Sequence, residues 1–229
     1  MTRGPFAYAF RTFFLAVAAS ALVFVPWWGV AVCCAVPLPG AWPGSLWHAH
    51  EMLHGFVVAA IAGFLLTAVP SWTGRRGFAG MPLALLSAAW LVGRIAVAAN
   101  AQLPAWLVAT ADLAFLLLLA TVLAPPLVRE RNRNTPLLAV LTALWAGNLL
   151  FHVAIARGDT GLASAALLAT VNLVLVLVTV IGGRITPSFT ATALRVRGDA
   201  AVVRAPKWMT PLAVGAMVLV TVIDLAMNA

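Results

Sequence analysis

Seven runs of roughly twenty apolar residues, separated by short polar connections, constrain this chain more than any other feature. They fall at about 12–35, 50–71, 81–101, 104–126, 136–156, 162–184 and 208–228. A hydrocarbon core about 30 Å thick is crossed by ~20 residues of helix, so each run is one candidate span. With 63% hydrophobic and 9% charged residues in 229, the chain has too little polar surface to cover a soluble domain. No segment sustains the alternation of a membrane barrel. The predicted fold is therefore all-α: a polytopic bundle of about seven transmembrane helices in a lipid bilayer, one domain over residues 1–229. Short connections predict antiparallel neighbours, and Pro26 is expected to kink the first span.

A net charge of +8 invites a nucleic-acid reading, but its distribution excludes one. Arg3 and Arg11 precede the first span, and Arg75 and Arg76 follow the second. Arg129, Arg131 and Arg133 join the fourth to the fifth; Arg195, Arg197, Arg204 and Lys207 join the sixth to the seventh. With seven spans, all of these fall on one side, and the opposite connections hold only Arg157. Basic loops stay in the cytoplasm, so the amino terminus is expected inside and the carboxyl terminus outside. The basic region and apolar run at the start resemble a secretory signal, but the run continues to Val36 and reads better as an uncleaved span. Cys33 and Cys34 are adjacent, unsuited to a disulfide framework, and read as packing residues.

Depth along each span follows from the ~1.5 Å rise per helical residue. His48 and His50 are expected at the outer start of span 2, with Glu51 and His54 up to a turn deeper. His152 reaches the same leaflet from span 5. Arg94 and Asp112, on neighbouring antiparallel spans, read as a buried ion pair that fixes packing, since an isolated charge in a membrane is costly. Asn148 and Asn172 read as interhelical hydrogen-bonding residues. All four histidines of the chain thus converge on one leaflet from two helices.

The stretch "WHAHEMLHGF", residues 47–56, contains His-Glu-x-x-His. His50 and His54 share one helical face and can hold one zinc ion, with Glu51 as general base on its water. An intramembrane zinc metalloprotease needs a further ligand, and the Leu-Asp-Gly element that supplies it in such proteases is missing. The only deep acid in a later span within reach is Asp112, in "ATADLAF".

Continued to Arg94, and taken with "FRTFFL" at 10–15 and "GGRITPSFTATALR" at 182–195, the stretch from Trp47 resembles the NnrS family. These are bacterial haem- and copper-containing membrane proteins associated with nitric oxide metabolism. Where the family usually has an aromatic residue after His-x-His-Glu-Met-Leu, this chain has His54, so the protease-like pattern arises from a single departure. The resemblance implies a haem/copper protein of the bacterial inner (cytoplasmic) membrane, acting in nitric oxide metabolism or resistance to nitrosative stress, with nitric oxide as a ligand. Haem and copper are the implied cofactors. His50, His54, His152 and Arg94 are the expected cofactor-binding residues, and His48, His50, Glu51 and His54 the expected metal set. Haem is expected between spans 2 and 5, with His152 facing His50 or His54. Copper is expected nearer the outside at His48 and His50, and Trp42 and Trp47 are candidates against the haem edge. Family members run to about twelve spans, so the chain is expected to be a short member, a product of truncation, or one whose later half a second chain supplies. A non-catalytic haem or metal delivery module is the other class of function, and no residue is assigned to catalysis.

Overall fold

The computed structural model describes residues 4–129, 134–199, 203 and 206–227. Arg3, Arg131, Arg133 and Arg204, counted above among the basic connections, lie outside the described residues. Among the described residues there is no strand, and seven helices account for the fold. They are α1 (Ala9–Cys34), α2 (Gly44–Thr73), α3 (Met81–Ala98), α4 (Ala105–Arg129), α5 (Leu137–Ala156), α6 (Thr160–Val196) and α7 (Met209–Met227). The first six are long and apolar enough to cross a bilayer, and α7 carries a shorter apolar stretch, Met209–Asp224. The all-helical membrane fold expected from the sequence is thus present.

Two boundaries differ in a way that matters. α2 begins at Gly44 rather than near residue 50, so His48 and His50 lie within the helix instead of at its start. α6 runs for 37 residues, about 55 Å at 1.5 Å per residue, well past the expected end near 184. Nothing stops it before Gly198, which takes the left-handed conformation (φ 77°). Pro26 lies inside α1, which continues through it to Cys34. Membrane helices tolerate such prolines because neighbouring groups satisfy the freed carbonyl.

The chain divides into two compact units, Met1–Leu167 and Leu168–Ala229. Within the first, α1 packs on α2, α2 on α4, α3 on α4, and α4 on α5. α2 is the central element: 56% of its apolar window is buried, against 6% for α1. A helix that buries residues on several sides can direct polar groups inward on more than one of them. Large exposed side chains such as Leu22, Val32, Leu85 and Ile95 lie on the outer faces, where lipid replaces water. Leu46 and Leu53 of α2, Phe151 and Ala154 of α5, and Ala163, Ala166 and Leu167 of α6 form one buried cluster.

Small residues set the helix spacing. A Cβ on Gly93 would lie 3.2 Å from the Asp112 Cα, so the α4 backbone comes close to α3 where only hydrogen is present. Close approach through glycine is a usual device for packing membrane helices. At the α5–α6 turn, Gly158 adopts φ 73°, a conformation costly for a residue with a Cβ. The Asp159 N–H then donates to Ala154 O, and its side chain accepts from Leu162 N–H at the start of α6. This closes one helix and caps the next within three residues.

Candidate metal centre

The site is built around one wide turn of α2. Residues Glu51–Val57 form a π-helical segment with α-helix on both sides. Such turns are uncommon and recur at functional sites. His50, Glu51, His54 and Gly55 are all buried around it.

Three other helices meet this turn with polar side chains. Arg94 of α3 donates from Nη1 to Glu51 Oε1 at 2.5 Å and from Nη2 to Asp112 Oδ1. Asn148 of α5 donates from Nδ2 to Asp112 Oδ2 at 2.7 Å. His152 Nε2, one turn further along α5, lies 2.9 Å from the same oxygen. His50 Nε2 is 3.0 Å from Asn148 Oδ1 and 3.2 Å from Asp112 Oδ2, while its Nδ1 is 3.4 Å from Glu51 Oε1. All of these residues are buried, His50 fully. The local spacing explains the convergence: Asn148 and His152 are four residues apart and so share a face of α5.

Within this cluster, His50, Asp112 and His152 offer ligand atoms that all lie within 4.8 Å of one another. Two imidazole nitrogens and a carboxylate oxygen suit a borderline transition-metal ion such as copper or zinc. The electrostatics point the same way. With both carboxylates ionised, Glu51 and Asp112 carry two negative charges against one on Arg94, and uncompensated charge away from water is unfavourable. A cation held by neutral imidazoles balances that excess. A wall of rings closes the site: Trp42 lies edge-on to His50 (5.3 Å) and His152 (5.6 Å), and Phe151 lies 4.7 Å from His50.

The sequence candidates separate into those the cluster gathers and those it does not. His50 and His152 are together. Glu51 and Arg94 are beside them but engage each other. His54 sits next to His50, with ring centroids 5.0 Å apart, and both of its nitrogens lack a hydrogen-bond partner. His48 turns toward α1 and stacks on Trp28 at 4.6 Å with planes 8° apart, separate from the cluster. His50, expected near the aqueous boundary, is instead wholly enclosed, because α2 begins earlier and is central. Asp112 and Asn148 are the members that the sequence did not assign to a site. The Arg94–Asp112 pair was legible, but the second oxygen of Asp112 faces three further groups. Asn172 belongs to the second unit, where it donates to Asp224 at 3.2 Å, an interhelical bond of the expected kind. Trp47 packs with Val97 and Val108, and its indole nitrogen is unpartnered. Cys33 and Cys34 are exposed free thiols at the end of α1.

Two implied arrangements meet the geometry less well. His50 and His152, with ring centroids 5.6 Å apart, both face one oxygen of Asp112, which a haem macrocycle placed between them would have to displace. For the protease arrangement, Glu51 is held by a guanidinium rather than free to act as a base on metal-bound water.

The family model described as "NnrS protein" matches residues 5–229. No curated protein and no solved structure gives a significant match.

Proposed function

This chain belongs to the NnrS family, and on that premise we propose that it is a copper-binding membrane protein of nitric oxide metabolism or nitrosative-stress resistance in the bacterial inner membrane. The observation that carries the reading is the enclosed His50–Asp112–His152 donor set. These residues fit a single ion, and the imidazole-rich set suits copper. A bound copper ion supplies one-electron redox chemistry and an electrophilic position for a small ligand. The protein's own part is to hold the three donors and to exclude water with Trp42 and Phe151. Asn148 orients Asp112 by donating to its Oδ2, and its own amide oxygen lies 3.0 Å from His50 Nε2. The haem implied by the family is given no role at this cluster.

The test is metal content and absorption of the purified protein, with His152→Ala and His48→Ala beside it. Wild type should hold about one copper per chain, from a three-donor site of this kind. His152→Ala should lose most of it, and His48→Ala, which alters only the Trp28 stack, should retain it. Equal copper loss in both variants would move the site toward the outer end of α2. A haem spectrum abolished by His152→Ala would restore the haem between α2 and α5.

A further inference from the structure

Arg94 is usually read as a counter-ion, and a single counter-ion needs only one carboxylate. Here the two prongs of its guanidinium go to two different carboxylates on two different helices, Glu51 of α2 and Asp112 of α4. Each carboxylate stands in a different relation to the metal-ligand set. Asp112 is itself a ligand: Oδ1 is held by Arg94, and Oδ2 is the oxygen that faces His50 and His152. Glu51 lies behind a ligand: its Oε1 faces Nδ1 of His50, the ring nitrogen opposite the one directed at the cluster. An ion bound at His50 Nε2 requires that nitrogen to be unprotonated, so the ring proton must sit on Nδ1, facing Glu51. A carboxylate behind a ligand histidine fixes its tautomer and ring orientation.

We propose that Arg94 is the positioning residue of this site: its one guanidinium holds Asp112 to a single ligating oxygen and, through Glu51, sets the orientation of His50. The inference rests on the reading of the His50–Asp112–His152 cluster as a metal site. It accounts for a requirement that charge balance alone leaves open. A lysine provides the same charge but not the rigid planar fork that serves two acceptors at once. It also gives Gly55 a purpose, since a Cβ there would lie 3.1 Å from Glu51 Oε2 and 3.3 Å from Arg94 Nη1. The Trp90 indole secures the same turn by donating to Gly55 O at 3.0 Å.

The experiment titrates Co²⁺ and Cu²⁺ into the full-length protein in detergent, for wild type, Arg94→Lys, Glu51→Gln and His50→Ala. Arg94→Lys should still bind one ion, but roughly 10- to 100-fold more weakly, the usual effect of losing a group that orients a ligand. Its visible Co²⁺ bands and Cu²⁺ electron paramagnetic resonance parameters should change, because Asp112 becomes free to turn a second oxygen to the ion. Glu51→Gln should weaken binding in the same direction with a smaller spectral change, since only His50 loses its support. A merely structural role would lower thermal stability and leave the spectra of the bound ion as in wild type; that result overturns the proposal. Should Arg94→Lys fail to fold, wild-type affinity and spectra in Glu51→Gln overturn it equally. Loss of binding in His50→Ala with an unchanged Arg94→Lys removes this inference but keeps the metal site. Wild-type binding in His50→Ala removes both.

Discussion

The two oxygens of Asp112 face different chemistry. Oδ1 accepts from Arg94, while Oδ2 accepts from Asn148 and stands within 3.2 Å of two imidazoles. A carboxylate shared in this way is neither a plain counter-ion nor a free ligand, and its role depends on groups from three other helices. This explains how much of the site could be read from residues alone. Depth follows from helical rise, so the sequence places His50, His54 and His152 in one leaflet and pairs Arg94 with Asp112. Azimuth does not follow from depth: whether a side chain faces a neighbour, the core or lipid is set by which helices touch. His48 and His50 are only two residues apart, about 200° around a helix, and face Trp28 and the cluster respectively. Equal depth could not separate them. The widened turn at Glu51–Val57 was likewise not legible, because no residue type in the sequence specifies it.

At the scale of elements, the centre depends on α3 and α4 approaching closely. Gly93 immediately precedes Arg94, and a Cβ there would press at 3.2 Å on the backbone of Asp112. Backbone cannot move aside as a flexible side chain can. Gly93→Leu should therefore force the two helices apart and lengthen the Arg94–Asp112 contact. Overpacking of this sort typically costs about 1–3 kcal/mol, and Gly93→Ala should cost less. The check is thermal unfolding in detergent beside copper content, and both should fall in the order wild type, alanine, leucine. A Gly93→Leu variant as stable and as copper-rich as wild type would show that the helices are not spaced by this residue. The helices themselves were largely readable from apolar length. Their ends were not: α2 starts early, with Leu46 and Trp47 in buried positions, and α6 runs through Gly182, Gly183 and Pro187 to Val196.

For the whole molecule, the basic residues predict orientation. Arg11, Arg75, Arg76, Arg129, Arg195, Arg197 and Lys207 would all face the cytoplasm if seven helices cross the membrane, leaving Arg157 opposite. A reporter that works only in the periplasm should then be active when fused at the carboxyl terminus, and one fused after Arg129 should be silent. The reverse pattern would mean that one helix does not cross.

The ring wall over the cluster also has a consequence in time. With His50 fully enclosed and Trp42 and Phe151 against it, an ion can leave only when the helices separate locally. Departure is then timed by an opening of the protein rather than by collision with whatever competes for the ion. Excess chelator should remove copper at a rate that stops rising with chelator concentration, and Trp42→Ala should raise that limiting rate. A rate that stayed proportional to chelator at every concentration would mean that the ion is within reach of solvent. An ion held in such a lock would stay through brief scarcity in its surroundings, its loss set by how often the helices part.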